Sequence, residues 1–318
     1  MDRTGSQRMR VEAVTTRDVQ GRARVTLEEL LALRYQVPRL GSTARARTSG
    51  AGTHLSHLHA RGVDYAESRV YQPGDDIRAM DWRVTARTGK PHTKLFQEER
   101  ERSLIVLVDG NASMRFGSRT RFKSVQACRA AALAAWMGVR GGDRVGGMVF
   151  GRLAASVNPR GGARGALALI GALARWDAAP EGDEEPLSIA LKRCLRLAPP
   201  GSRVVLMSDG FSADDAAQPL LARLRQRVEL SALIVSDALE CSPPPTGSYS
   251  VENAGKRHAL VLQSRVARNA FAAELARGHR ALEALCRRTA TPAWRLETGD
   301  DPALALRQLL DKPGTFRC

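Results

Sequence analysis

Two short apolar runs in this chain end in aspartate. Leu104–Val108 leads into Asp109, with Asn111 and Ser113 following, and Val204–Met207 passes through Ser208 into Asp209. Asp109, Asn111 and Ser113 stand at i, i+2 and i+4. On an extended turn that spacing brings three oxygens to one side. Carboxylate, amide and hydroxyl oxygens are the ligand set of a hard cation, above all Mg²⁺, which keeps several waters and open positions. Mn²⁺ or Ca²⁺ can take the same donors. In an open α/β sheet, ligands bind beyond the carboxyl ends of the strands, so Asp209 on a neighbouring strand could face the same crevice. The competing reading is ordinary strand-end chemistry, since Asp, Asn and Ser are common caps and turn formers.

The elements that must position these residues are legible around them. Leu104–Val108, Val145–Phe150, Val204–Met207 and Leu230–Val235 are continuous apolar runs, the pattern of strands buried on both faces. Between them, Phe122, Val125, Cys128, Ala132, Trp136 and Val139 recur at helical spacing. So do Leu187, Leu191 and Cys194, then Leu220 and Leu224, then Phe271, Leu275, Leu282 and Leu285 across Gly278. Strands alternating with helices predict a doubly wound, mainly parallel α/β sheet over 101–318, with Trp294–Leu296 as a late strand.

The region before it reads differently. Residues 1–24 are polar and Arg-rich, a flexible basic N-terminus. A region spanning 25–100 follows. It opens with Thr26 and Glu29 in a capping-box pattern before a short helix that Pro38 ends. Val63, Tyr65, Val70 and Tyr71 predict extended chain, and Pro73–Gly74 a turn. Asp75 or Asp76 then caps a helix carrying Ile77, Met80, Trp82 and Val84 and closed by Gly89, and a strand covers Thr93–Gln97. The plainest role of the PGDDIRAMDW stretch is structural, with Trp82 in a core and Arg78 paired to a carboxylate. The alternative is a docking surface with an exposed Trp and Arg cluster.

The Asp-Gly-Asn-Ala-Ser sequence at 109–113 resembles the motif that begins a metal-ion-dependent adhesion site in von Willebrand factor A-type domains, with Asn111 in place of the first serine. Asp209 is similar to that site's second aspartate. The site's threonine corresponds here to Glu185, ahead of a helix starting at Leu187. The segment GVDYAESRVYQPGDDIRAMDWRVTARTGKPHTKLFQEE resembles the signature of the bacterial domain-of-unknown-function-58 family. The matching positions include Gly62, Tyr71, Pro73, Gly74, Asp75, Asp76, Arg78, Asp81, Trp82, Ala86, Arg87, Lys94 and Glu98–Glu99. The resemblance implies an A-type α/β domain with a smaller N-terminal β-containing region. It also implies a partnership with a MoxR-type AAA+ ATPase, or with that ATPase's clients, in chaperone-like assembly or activation of other complexes. On this reading the protein is a non-enzymatic adaptor. A Mg²⁺ held by Asp109, Asn111, Ser113 and Asp209, with Glu185 either a further metal ligand or simply a favourable start to the helix at Leu187, would be completed by a partner's acidic side chain.

Composition narrows the alternatives. The chain has 318 residues, 43% of them hydrophobic and 26% charged, as in ordinary globular domains. That balance excludes disordered, fibrous and disulfide-stapled classes. The net charge of +16 attracts acidic partners and anionic polymers. An aromatic share of 5% leaves the basic surface poor in the stacking residues that single-strand binders use, which disfavours direct nucleic-acid binding. Five scattered cysteines form no CxxC pair and suggest reduced thiols. No run approaches a membrane span. The basic N-terminus lacks an apolar segment, so no leader is expected and the default compartment is the cytoplasm. No phosphate-binding P-loop and no GxSxG-type elbow is present. His54, His57 and His59 lie close enough to bind a transition metal, but a solvated loop explains them as well. Two rival classes remain: a nucleic-acid-associated basic protein, and a metal-dependent hydrolase.

Overall fold

A computed structural model describes residues 21–37, 63–98, 102–151, 155–179, 182–253 and 256–311. Residues 1–20 and 38–62, the latter with the His54/His57/His59 cluster, lie outside the described residues. The chain divides into two compact units, Ser42–Glu101 and the remainder, Met1–Gly41 with Arg102–Cys318.

In the larger unit, helix α1 is Leu27–Ala32. In the smaller, strand β1 is Val63–Val70, helix α2 Trp82–Thr88 and strand β2 His92–Glu98. The larger unit continues with β3 (Ser103–Gly110), α3 (Lys123–Arg140), β4 (Arg144–Gly151), β5 (Ala155–Arg160), α4 (Gly162–Ala178), α5 (Leu187–Leu197) and β6 (Arg203–Ser208). It closes with α6 (Ala217–Arg225), β7 (Glu229–Ser236), α7 (Ala238–Cys241), β8 (Gly247–Asn253), β9 (Lys256–Leu262), α8 (Arg265–Leu275), α9 (Arg277–Arg288), β10 (Ala293–Glu297) and α10 (Pro302–Asp311).

The expected fold class is what forms: a six-stranded sheet in the order β10-β7-β6-β3-β4-β5. All of its pairings are parallel except β4 with β5. The central strand explains the continuous apolar runs. On β3, Leu104, Val106 and Val108 enter one core with α1, α3, α4 and α10. Ile105 and Leu107, alternating with them, enter the other core with α5, α6 and α9. A strand covered on both sides has no polar face to show, so its sequence cannot alternate. From β3 the chain runs to β4 and β5 on one side. It then returns past β3 to β6, β7 and β10 on the other. The carboxyl ends of β3 and β6 therefore flank the topological switch point, where an open α/β sheet leaves a crevice.

Several elements were not anticipated, the short helix α7 and the last helix α10 among them. Edge strand β5 shows side chains alternating between half-buried and exposed and carries Pro159, so it lacks a continuous apolar run. Helix α4 is built on Ala and Gly as much as on Leu. The β8–β9 hairpin forms a separate two-stranded sheet. The Phe271–Leu285 pattern resolves into two helices, α8 and α9, that meet at Ala276.

The short N-terminal helix corrects the expected boundary at 25–100. Thr26 caps α1 as predicted, its hydroxyl accepting from the Glu29 amide at 3.2 Å. The helix nonetheless belongs to the α/β unit. Leu30 and Leu33 are fully buried in the core formed with α3 and α4. The Val25 amide donates to Asp177 at the end of α4 at 2.8 Å, and Arg129 of α3 pairs with Glu29. Apolar burial of this kind, worth about 1.5–3 kcal/mol per large side chain, outweighs sequence proximity to the signature segment.

The smaller unit pairs β1 with β2 antiparallel. Between them Gln72–Asp75 form the predicted turn, closed by the Asp75 amide on the Gln72 carbonyl at 3.0 Å, with Gly74 at φ +108°. Asp76 caps only a 3₁₀ turn at Ile77–Ala79. Asp81 caps α2, accepting from the Arg83 and Val84 amides, and also takes a hydrogen bond from Ser68 at 2.8 Å. Trp82 is 66% exposed, so it fills no core. Two successive Asp caps break the expected single helix and turn its first side chain outward.

Candidate functional site

The crevice begins with Asp109, one residue past Val108, which pairs with Met207 on β6. Its carboxylate is buried and fully engaged. Oδ2 accepts from the Ser208 hydroxyl at 2.6 Å and the Ser212 hydroxyl at 2.7 Å, and Oδ1 accepts from the Asn111 amide at 3.0 Å. Burial, with the nearby Asp209 charge adding to it, raises its pKa to about 7. The hydrogen bonds from Ser208, Asn111 and Ser212 oppose that rise. Asp109 is thus held as a carboxyl group that shares its site with a second acid.

Asp209 follows β6 and is equally buried. Its Oδ1 accepts from the Phe211 amide at 3.1 Å and from the Ser113 hydroxyl at 3.2 Å. The turn that places it depends on Gly210 at φ +86°, where a Cβ would lie 2.2 Å from the Gly278 carbonyl oxygen of α9. Only glycine satisfies both the left-handed conformation and this approach.

Asn111 and Glu185 meet through a two-point contact. The Asn111 amide group donates to the Glu185 carbonyl at 3.0 Å, and its Oδ1 accepts from the Glu185 amide at 2.8 Å. A carboxamide carries its donor and its acceptor on two separate atoms and so spans both backbone groups, whereas a serine hydroxyl carries both on one oxygen, which accounts for asparagine at this position. The Glu185 side chain turns toward β4. Its Oε2 accepts from the Gly151 amide at 3.1 Å and from Arg193 at 3.0 Å, while Oε1 is buried with no hydrogen-bond partner among the described residues. Arg193 also donates to the Val149 carbonyl at 2.8 Å. The structure therefore brings Asp109, Asn111, Ser113 and Asp209 together, while Glu185 joins them only through its backbone, with Asn111 tying the β3 loop to the loop before α5.

It also adds a residue that motif reading missed. Lys123 is the first residue of α3 and is 1% exposed. Its ammonium lies 2.8 Å from Asp209 Oδ2 and 2.6 Å from Glu240 Oε1. The Phe116 and Phe211 rings flank it, with centroids 5.5 Å and 5.4 Å away. Burial alone would depress the lysine's pKa, but Asp209 and Glu240 more than reverse this and raise it, so the ammonium stays charged. Glu240 is pushed up by burial and pulled back by Lys123. Its Oε2 accepts from the Asp237 amide at 3.0 Å, completing a capping box at α7. Asp237 reaches back to the loop before α3, accepting from the Ser118 amide at 3.0 Å. One signal was available in the sequence. Lysine is unfavourable beside the positive end of a helix dipole, and only six of the 49 Lys and Arg residues are lysine. Once buried at the start of a long apolar helix, a lysine needs acids to hold it.

This arrangement does not fit a divalent ion resident beside Lys123. Asp209 Oδ2, the oxygen such an ion would need, already carries an ammonium. The Asn111 oxygen faces a backbone amide, and each Asp109 oxygen accepts a hydrogen bond. A second cation next to a buried ammonium is opposed by repulsion on the order of several kcal/mol. Among the described residues no three His, Cys, Asp or Glu side chains form a metal-holding group. A single open oxygen on Glu185, whose partner oxygen is paired with Arg193, is far from the six or more that a hard cation takes.

The comparisons agree with the sequence signature. The model of the family described as "Protein of unknown function DUF58" matches residues 67–281. An uncharacterized protein of Mycobacterium tuberculosis is 32% identical over 204 residues, 64% of this chain and 64% of that protein. The chain thus matches just under two thirds of that relative's length. The uncharacterized protein YeaD of Bacillus subtilis is 38% identical over 66 residues, 21% of this chain and 16% of that protein. Among solved structures, an aerotolerance-related membrane protein from Bacteroides fragilis aligns at a TM-score of 0.41 and 16% identity, over 66% of this chain and 97% of that one. BatB from Bacteroides thetaiotaomicron aligns at 0.38 and 16%, over 65% and 96%. No helix among the described residues is long and apolar enough to cross a membrane. With its strand-tip aspartates on an α/β sheet and the PGDD–DW signature before it, the chain belongs to the family of proteins of unknown function DUF58.

Proposed function

We propose that this protein is a non-enzymatic adaptor that docks other proteins at the carboxyl edge of its sheet, working with a MoxR-type AAA+ ATPase or that ATPase's clients. The observation that carries the reading is the way the edge is pinned. The loops after β3 and β6, the start of α3, α7 and the segment before α5 are joined by Asn111–Glu185, Ser113–Asp209, Lys123–Asp209–Glu240 and Ser118–Asp237. A surface held in one geometry binds with little ordering cost. The hydroxyls of Ser113, Ser208 and Ser212 all donate to buried carboxylates and so help to pin the same loops. The ATPase as partner follows from the family resemblance, and the net charge of +16 favours rapid encounter with acidic surfaces.

The test is binding of the purified chain to the MoxR-type ATPase of the same organism, with EDTA and with Mg²⁺, alongside turnover of phosphoester and ester substrates. Saturable capture that persists in EDTA, without turnover, is expected. Absence of capture of both the ATPase and its clients would overturn the adaptor. So would turnover lost on Asp109→Ala, or nucleic-acid binding that weakens steeply with salt and replaces protein binding.

A further inference from the structure

We infer that the crevice carries its own cation: the Lys123 ammonium is a tethered, metal-replacing charge, and the edge therefore functions without a divalent ion. This goes beyond the adaptor reading and does not depend on it.

The argument starts from charge. Asp109 and Asp209 at the ends of β3 and β6, and Glu240 in α7 just after β7, are all buried. Buried carboxylates require a cation or protons. A metal ion would meet this need by joining several oxygens, and a lysine does so with three donors on a covalent stem. Lys123 reaches two of the acids, Asp209 and Glu240, at hydrogen-bonding distance. Asp209 links onward to Ser113, and Asp109 is covered by Ser208 and Ser212.

The enclosure points the same way. A metal that a partner completes needs an open coordination position facing solvent. The Lys123 ammonium instead lies between the Phe116 and Phe211 rings, and Arg277 covers Phe211 with its guanidinium 5.4 Å from the ring centroid. Aromatic faces favour a cation while excluding water. Gly278 allows this closure, because a Cβ there would lie 2.3 Å from the Phe211 ring. A partner's carboxylate thus meets a sealed surface, not a vacant ligand position.

The experiment uses the full chain, dialysed against EDTA and then titrated with MnCl₂ or MgCl₂. Free Mn²⁺ is followed by electron paramagnetic resonance, and thermal unfolding is measured against an ionic-strength-matched NaCl control. The wild type is expected to bind no stoichiometric Mn²⁺ below about 1 mM and to shift Tm by less than about 1 °C. Lys123→Met and the double variant Lys123→Met/Glu240→Gln, which relieves one unpaired acid, are expected to be less stable and to recover on adding metal. An ion bound at one hundredth of its working concentration would raise Tm by roughly 5–10 °C. One Mn²⁺ bound to the wild type and lost on Asp209→Asn would overturn the inference. So would a folded Lys123→Met protein with unchanged stability and no response to metal. If neither variant folds, the wild-type Mn²⁺ titration still decides.

Discussion

Replacing Gly210 by alanine tests how the sheet holds its crevice. Gly210 reverses the chain immediately after Asp209, at φ +86°, and its Cα faces the backbone of α9. An added Cβ would lie 2.2 Å from the Gly278 carbonyl oxygen and 2.7 Å from the Leu282 Cβ. Two costs add. The left-handed conformation costs an L-residue about 1–2 kcal/mol. Forcing a methyl against helix backbone costs about 1–3 kcal/mol more, because α9 must shift. Gly201 supplies the control, since it sits at φ +80° with nothing within 4 Å of its would-be Cβ. Gly201→Ala therefore pays the conformational cost alone, and the entropy that alanine removes from the unfolded chain largely cancels between the two. Urea unfolding followed by circular dichroism, with equal m-values, should place Gly210→Ala about 1–3 kcal/mol below Gly201→Ala. Since Asp209 precedes the turn, the Phe211 amide should also lose hydrogen-exchange protection in Gly210→Ala alone. Equal destabilisation of the two variants would refute the close approach of the β6 turn to α9.

Asp109 gives a pH signature. Its pKa rises from 3.8 to about 7 on folding, so the folded state holds the extra proton between those values. The stability this contributes is fully present below the unfolded pKa and is lost as pH rises through about 7. Asp109→Asn, which keeps the shape, should gain on the wild type by at most roughly 4 kcal/mol between pH 4 and pH 8. Parallel stability–pH curves would contradict the shift. Asn111→Ser removes both bonds to the Glu185 backbone, at a cost of about 1–3 kcal/mol. Hydrogen exchange should then speed at the Glu185 amide, and unchanged protection there would show that the two-point contact does not pin the loop.

The strands and the candidate acids were readable in one dimension because burial on two faces imposes continuous apolar runs, and those runs end where Asp109 and Asp209 stand. Edge strand β5 escaped because one exposed side removes that requirement. Helix α1 was assigned to the wrong neighbour because the surface that buries Leu30 and Leu33 comes from helices about a hundred residues later. Trp82 was placed in a core on its apolar character, yet the Asp81 cap sets its direction.

By itself, then, the sequence determined the layer order of the α/β unit, the oxygen-bearing strand tips and the family signature, all of which follow from local pattern. Only the tertiary structure decided what neutralises those tips. Lys123 lies 86 positions from Asp209 and 117 from Glu240 along the chain, and the switch in strand order brings the three together. Charge compensation in a buried site depends on distances across the fold, and a motif records only spacing along it.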